Sequence, residues 1–274
     1  MAVKVAASET WQCQGVKETL QKYRSGFTIG DAKRECAAST RDKYSVGIAS
    51  NGGCLDTLSA IRAGMHPVWG CEIDDKNRKM FKDLTGAICY EDARLVAKNI
   101  HKIRVPTVLH TSFDCKDYSS LGSLKGAEGE RGGDMYVWQG KNFICKMGPE
   151  MVLIEMTANV VNVNGGKDLS RLIRDLEAQY IVHHKYISVW RHGDPTNRKR
   201  LFIVAVHKRH GLKAAQFKFP KEQFDEEWYP VAADVAIPDD QVPARYVLKG
   251  APKKVYKKDP KPGRMHHVAR FGDG

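Results

Sequence analysis

Short apolar runs alternate with amphipathic stretches through the middle of the chain. The short runs predict strands, and the stretches whose apolar residues recur three and four positions apart predict helices. The predicted strands are residues 44–48, 66–71, 87–90, 105–109, 151–154, 186–189 and 201–206. The predicted helices are residues 55–61, 77–84, 95–103 and 168–180. This alternation predicts an α/β fold with a doubly wound, mostly parallel sheet.

The same pattern divides the chain into three parts. Residues 1–43 are polar and mixed, and we interpret them as an N-terminal lead-in. Residues 44–206 carry the alternation of strands and helices. Residues 207–274 contain prolines, lysines and several aromatic residues without a clear period, which indicates a region of a different kind.

The first strand, helix and second strand follow the order of a nucleoside-binding unit. Residues 49–53 form a turn with two glycines, and Glu72 follows the second strand about 20 residues after that turn. In such units the glycines let a ligand approach the backbone, and the acid binds ribose hydroxyls. The spacing is not Gly-x-Gly-x-x-Gly, so an ordinary βαβ unit without a ligand is an equal alternative.

Cys115 lies where the strand at 105–109 gives way to a loop. Ligands of open α/β sheets bind beyond the carboxyl ends of the strands. Lys116 is the next residue, and a neighbouring cation favours the thiolate, which is the nucleophilic form of cysteine. Glu155 ends the strand at 151–154 and is predicted to face the same crevice. A buried cysteine that only fills space is the alternative.

Composition adds a polyanionic partner to this picture. The net charge is +12 and the pI is near 9.3, and such a surplus attracts nucleic acid, although a merely basic protein is the alternative. The seven cysteines include no Cys-x-x-Cys pair, so we expect no metal site and no dithiol motif. There is no apolar run of the roughly 20 residues that span a membrane, and no signal peptide. We therefore expect an intracellular protein that uses neither a membrane nor a metal.

Taken together, these residues resemble the cytosine carbon-5 DNA methyltransferase family over roughly residues 44–245. Residues 46–52 are similar to its cofactor motif, residues 111–122 to the loop that carries its nucleophile, and residues 149–155 to its strand ending in Glu-Asn-Val. Further matches, in the family's order, are residues 129–132, 194–204, 219–220 and 234–235. The number, order and spacing of these matches carry the resemblance.

The resemblance implies that S-adenosylmethionine is the cofactor. The implied cofactor-binding residues are Gly47, Ile48, Ala49, Glu72, Ile73, Asp92 and Ala93. Glu72 would hold the ribose, Ile73 would lie beside the adenine, and Asp92 with Ala93 would contact the adenine.

The implied catalytic residues are Cys115, Glu155, Arg198 and Arg200. The Cys115 thiolate would add to a cytosine flipped out of double-stranded DNA, and Glu155 would hydrogen-bond the ring. Arg200 would hold the base at O2, and Arg198 would contact the site or a phosphate. A cytosine-5 transferase acting on transfer RNA would use the same residues. A non-catalytic nucleic-acid-binding or regulatory subunit is the third possibility.

Several positions depart from the family pattern. Asp114 stands where the family has the proline before its nucleophile, Lys116 replaces the following glutamine, and Thr196 replaces the glutamine of the arginine motif. Most of the recognition domain and two C-terminal motifs have no counterpart. We therefore expect residues 207–274 to be the incomplete start of a target-recognition region, completed by a second subunit or a missing C-terminal segment.

Overall fold

The computed structural model describes residues 44–119, 122–130, 133–194, 196 and 198–223. These residues belong to two compact units. One comprises residues 44–187 together with Arg200–Phe219, and the other comprises Ser188–Lys199 together with residues 220–223. The predicted lead-in at 1–43 and most of the predicted recognition region lie outside the described residues.

The described strands form one seven-stranded sheet in the order β3-β2-β1-β4-β5-β7-β6. The strands are β1 Ser45–Ala49, β2 His66–Cys71, β3 Ile88–Tyr90, β4 Val108–Thr111, β5 Met151–Thr157, β6 Tyr180–Ser188 and β7 Lys199–His207. The pairs from β3 through β5 are parallel, and β7 runs antiparallel to β5. The mostly parallel, doubly wound sheet predicted from the sequence is therefore confirmed.

The helices fill the connections between the strands. They are α1 Leu55–Arg62, α2 Asp75–Thr85, α3 Ala93–Lys98, α4 Asp134–Gln139, α5 Cys145–Met147, α6 Lys167–Glu177 and α7 Leu212–Ala215, with a π-helical turn at Gly140–Ile144. Short side chains fix where two of them begin. Asp74 caps α2 by accepting the amide of Asn77 at 2.9 Å, and Asp92 caps α3 by accepting the amide of Arg94 at 2.7 Å.

Several predicted boundaries were wrong. The strand predicted at 105–109 begins at Val108, because Pro106 has no amide hydrogen to give to a sheet ladder. The helix predicted to reach residue 180 ends at Glu177, and the strand predicted at 186–189 begins at Tyr180. β6 is an edge strand with a mostly half-buried pattern, and the adjacent polar residues His183, His184 and Lys185 interrupt its apolar run, which concealed its length.

The apolar core lies between the sheet and the helices that cover it. One end of this core is organised by Trp69 of β2, whose indole nitrogen donates to the carbonyl of Arg104 at 2.9 Å. A Cβ on Gly47 would penetrate the Trp69 ring, so glycine is required there by close packing. This packing holds β1 and β2 together just before both strands reach their carboxyl ends.

Candidate active site

The strand order reverses between β1 and β4, and the candidate residues collect at the carboxyl ends of these two strands and their neighbours. A crevice forms at such a switch point, because the connections leave the two strands in opposite directions. The loops after β1, β2, β4 and β5 therefore determine what a ligand would meet.

The loop after β1 is tied to the acid that follows β2. The carboxylate of Glu72 accepts the amide of Gly52 at 2.7 Å and the amide of Asp74 at 2.9 Å. Gly52 has a positive φ of 49°, and a Cβ placed on it would meet nothing within 4 Å. The backbone here is open to an approaching ligand, and Glu72 is held at its edge.

The other predicted cofactor residues differ in where they lie and in how far they are buried. Gly47, Ile48 and Ala49 lie inside β1, where the side chains of Ile48 and Ala49 are fully buried. Ile73 is 82% exposed beside Glu72, which leaves a large apolar side chain at the edge of the crevice. A ligand at this edge would meet the backbone of the following loop rather than the side chains of β1.

Asp92 and Ala93 follow β3 and begin α3. One carboxylate oxygen of Asp92 caps that helix, and Ala93 is buried in the core. The structure thus brings the predicted acid after β3 to the same edge of the sheet as Glu72, because β2 and β3 are parallel neighbours.

The loop after β1 also contains a residue that sequence reasoning missed. Asn51 is buried, its amide donates to the sulfur of Cys54 at 3.0 Å, and its side-chain oxygen accepts from the hydroxyl of Thr57. Ser50 and Cys54 both have φ near 62°, the left-handed region that non-glycine residues rarely adopt. The buried side chain of Asn51 therefore stabilises the unusual backbone of this loop. In the sequence, only the position of Asn51 next to the two glycines could have indicated this role.

Cys115 lies in a tight turn beyond the end of β4. Its carbonyl accepts the amides of Tyr118 and Ser119, both at 2.9 Å. Burial raises the pKa of the Cys115 thiol, the charges of Glu155 and Asp114 raise it further, and Arg200 opposes them. The ammonium of Lys116 is 3.0 Å from the carboxylate of Asp114, so the cation expected to activate the thiol is already neutralised by its neighbour.

Glu155 and Arg200 form an ion pair across β5 and β7. In the antiparallel register Arg200 lies opposite Thr157, which is two residues from Glu155, so both side chains are on the same face of the sheet. The Nε atom of Arg200 is 2.7 Å from Oε1 of Glu155. Both side chains are about one-fifth exposed, which keeps the pair accessible from the crevice.

Arg198 is placed differently from Arg200. It belongs to the unit formed by Ser188–Lys199 and residues 220–223, where its carbonyl accepts the amide of Val189 at 3.0 Å. The predicted role of Arg198 at the site stays a prediction.

A histidine near this group was also missed. Nδ1 of His110 in β4 is 3.7 Å from a carboxylate oxygen of Asp56 in α1, and the hydroxyl of Ser112 donates to the same oxygen at 3.1 Å. Burial lowers the pKa of His110, although the charges of Asp56 and Glu155 raise it. The strand pattern alone could not reveal this cluster, because it depends on how α1 packs on the sheet.

Comparison with known proteins assigns the chain to a family. The family model described as C-5 cytosine-specific DNA methylase matches residues 49–247. The chain belongs to this family. The match runs from the end of β1 past β7 and includes Cys115, Glu155, Arg198 and Arg200.

Individual relatives agree with the family match. The type II methyltransferase M.MspI of Moraxella sp. is 29% identical over 227 residues, which are 80% of this chain and 52% of M.MspI. The type II methyltransferase M.Bsp6I of Bacillus sp. (strain RFL6) is 27% identical over 151 residues, which are 52% of this chain and 47% of M.Bsp6I. The chain thus spans about half the length of these curated relatives.

The solved structure of the methyltransferase EhMeth of Entamoeba histolytica has a similar fold. It superposes with a TM-score of 0.53 at 13% sequence identity, covering 68% of this chain and 58% of EhMeth. At this identity the likeness concerns the fold, and it agrees with a Rossmann-like methyltransferase sheet.

Within this methylase fold, the turn that carries Cys115 is anchored by a buried carboxylate. Asp117 is fully buried and accepts the hydroxyl of Ser123 at 2.6 Å and the amide of Gly133 at 3.0 Å. The hydroxyl of Tyr118 donates to the carbonyl of Gly133 at 3.0 Å and contacts the carboxylate of Asp168 at 3.1 Å. The described part of the glycine-rich segment is therefore attached directly to the Cys115 turn.

In the part of the chain that the structure describes, no three His, Cys, Asp or Glu side chains are grouped so that they could hold a metal ion. No helix within those ranges has the length and apolar character needed to cross a membrane.

Proposed function

We propose that this chain is the catalytic part of an S-adenosylmethionine-dependent DNA cytosine-5 methyltransferase of the type II kind. One observation carries the proposal. Cys115 follows the end of β4, and the Glu155–Arg200 ion pair lies on the neighbouring strands β5 and β7 at the same edge of the sheet, where its charges shift the pKa of the Cys115 thiol; all three residues lie within the family match. A nucleophile, a carboxylate and a guanidinium in one crevice are the groups that addition to a cytosine ring requires.

The residues around the β1 loop fit the cofactor. Glu72 is held by two backbone amides, and a carboxylate has about four acceptor positions, so it can also receive ribose hydroxyls. Exposed Ile73 offers an apolar surface for the adenine, with Asp92 and Ala93 at the next strand end. Gly47, Ile48 and Ala49 would form the floor below the open loop. When bound, S-adenosylmethionine supplies an electrophilic methyl group on its sulfonium sulfur.

Cys115 would perform the first bond-forming step. Its thiolate would give an electron pair to carbon-6 of cytosine as the carbon-5–carbon-6 double bond opens, which makes carbon-5 electron-rich. Carbon-5 would then take the methyl group as the methyl–sulfonium bond breaks, and S-adenosylhomocysteine would be released. Loss of the carbon-5 proton to solvent then breaks the sulfur–carbon bond and returns the thiolate. Glu155, once protonated, would donate its proton or a hydrogen bond to N3 and accept a hydrogen bond from the exocyclic amine, and Arg200 would hold O2, so that charge on the ring is stabilised as the sulfur adds.

The substrate of this reaction would be double-stranded DNA. A cytosine stacked in a duplex cannot reach Cys115 at the end of the sheet, so the base must be flipped out. The net charge of +12 supports contacts with the phosphate backbone, and Arg198 would contribute one of them. The proposal includes residues supplied by a second subunit or by a C-terminal segment, since the aligned part of this chain covers only about half the length of the matched relatives.

A tritiated-methyl transfer assay tests the proposal. We expect the chain, supplemented with a polypeptide that carries the C-terminal part of a relative, to methylate duplex DNA at carbon-5 of cytosine. The Cys115→Ser variant should lose the activity while its thermal unfolding is unchanged. Cys145→Ser is the matched control, because it removes a half-buried thiol elsewhere and should retain activity. Transfer to transfer RNA but not to DNA, or no transfer by the supplemented wild type, would contradict the proposal.

A further inference from the structure

The most unusual polar group near the Cys115 turn is the hydroxyl of Tyr136 in α4. Tyr136 is 1% exposed, and its hydroxyl has no hydrogen-bond partner among the described residues. A buried polar group without a partner is costly, and native structures keep few of them. Phenylalanine would fill nearly the same space without that cost. The stability of the fold therefore does not explain why the side chain carries a hydroxyl.

The packing of Tyr136 places it against the turn that carries Cys115. Its ring meets the ring of Tyr118 edge-on, with centroids 4.9 Å apart at 90°. The amide of Tyr118 in turn donates to the carbonyl of Cys115 at 2.9 Å. The side chain of Cys115 packs on the same apolar cluster that contains Tyr136. Tyr136 therefore lies beside the turn that carries Cys115, linked to it through Tyr118 and through the shared apolar cluster.

The charged groups around Cys115 leave its thiolate poorly supported. Lys116 is paired with Asp114, and Arg200 is paired with Glu155 at 2.7 Å. Each cation near the sulfur thus has a carboxylate beside it, and burial adds to the cost of ionising the thiol. A neutral hydrogen-bond donor that could reach the sulfur would stabilise the thiolate, which these ion pairs do not do.

We propose that Tyr136 is a further catalytic residue, whose hydroxyl donates a hydrogen bond to the Cys115 sulfur once the thiol has ionised. In this step the sulfur–hydrogen bond breaks, the electron pair stays on sulfur and the proton leaves to solvent. The tyrosine keeps its own proton throughout. Burial raises the pKa of Tyr136 well above its usual value, and the charges of Cys115 and Glu155 raise it further, so it remains a donor.

The proposal explains why the hydroxyl has no partner in the structure. A thiol is a weak acceptor, whereas a thiolate is an ionised and much stronger one. The hydrogen bond therefore forms only in the activated state, which is where an interaction must act if it is to lower a reaction barrier. The inference rests on the proposed role of Cys115 as the nucleophile.

The test is the pH dependence of Cys115 alkylation by iodoacetamide, followed by peptide mass spectrometry on the wild type, Tyr136→Phe and Tyr180→Phe. Tyr180 is the matched control, because it is also 1% exposed but its hydroxyl donates to the carbonyl of Pro149 at 3.2 Å. Thermal unfolding is recorded for each variant.

We expect Tyr136→Phe to move the midpoint of the pH profile upward and to slow alkylation at pH 7 about tenfold, the lower bound for losing a hydrogen bond to a charged group. Its unfolding temperature should equal or exceed that of the wild type. Tyr180→Phe should show the opposite pattern, with a lower unfolding temperature and an unchanged midpoint.

An unchanged midpoint in Tyr136→Phe would overturn the inference. A Tyr136→Phe variant that fails to fold would overturn it too, because the hydroxyl would then serve the resting structure. The assay needs neither DNA nor cofactor. Failure of the wild type to transfer methyl groups would therefore contradict the proposed function. An unchanged midpoint of the alkylation profile in Tyr136→Phe would contradict only the role of Tyr136.

Discussion

Replacing Glu72 with alanine should weaken cofactor binding and loosen the β1 loop at the same time. The carboxylate joins the amides of Gly52 and Asp74, at 2.7 and 2.9 Å, and under the proposed function it also receives the ribose hydroxyls. The substitution removes all of these contacts. The role of Glu72 in the protein and its role toward the ligand are separated by measuring stability and affinity independently.

The two effects differ in expected size. Hydrogen bonds to a charged acceptor contribute about 1.5–3 kcal/mol, so the Kd for S-adenosylmethionine should rise roughly 10- to 150-fold. The free energy of unfolding should fall less, by about 1–2 kcal/mol, because water can replace the carboxylate at this partly exposed edge.

Isothermal titration calorimetry with S-adenosylmethionine measures the first effect, and urea unfolding measures the second. Glu72→Gln keeps one acceptor oxygen but turns an amide donor toward a backbone amide, so its affinity should lie between the wild type and the alanine variant. Glu91→Ala is the control, since it removes an exposed acid from the neighbouring strand end. Wild-type affinity in Glu72→Ala would refute the assignment of this edge as the ribose site.

Two further predictions concern the fold around the site. Gly47→Ala should lower the free energy of unfolding by about 1–3 kcal/mol in urea unfolding, because the added methyl group must displace the Trp69 ring; an unchanged midpoint would contradict that packing. The lowered pKa of His110 means that the unfolded chain binds more protons than the folded chain below the unfolded value near 6.5, so stability is lost as the pH falls through that value. Unfolding between pH 7 and pH 5 should therefore be less pH-dependent in His110→Gln than in the wild type, and equal slopes would contradict the argument.

The sequence was sufficient for the strands that are buried and uninterrupted. Runs such as those of β1 and β5 have no competing interpretation, because their apolar residues match the short length of a buried strand. Pro106 moved the start of β4, and the mixed pattern of β6 hid an edge strand that only its pairing with β7 reveals. The local sequence pattern gave the wrong strand boundary where hydrogen bonding to a neighbouring strand determines where the strand begins.

The site was predictable as a set of residues but not as an arrangement. The apolar pattern placed Cys115 and Glu155 just after two strands; Cys115 does lie beyond the end of β4, whereas Glu155 lies inside β5, two residues before its end, and the family resemblance supplied Arg200. The pairing of Arg200 with Glu155 depends on the antiparallel register of β7, and sequence spacing cannot give a register between distant strands. Likewise, the contact of Lys116 with Asp114 neutralises the lysine that was expected to favour the Cys115 thiolate.

Two buried groups of the candidate site could not be predicted from the sequence. His110 and Tyr136 look like ordinary members of a strand and a helix until α1 and α4 are packed on the sheet. Their importance follows from burial and from which partners they have or lack, and both are tertiary properties.

The central claim is that Cys115 attacks a cytosine, and covalent trapping tests it most directly. The supplemented chain is incubated with S-adenosylmethionine and duplex DNA that contains 5-fluorocytosine, whose fluorine cannot leave as a proton does, and the adduct is mapped by peptide mass spectrometry. The account predicts a stable protein–DNA adduct through the sulfur of Cys115 that is absent from Cys115→Ser. An adduct at another cysteine, or methyl transfer by Cys115→Ser at the wild-type rate, would contradict it.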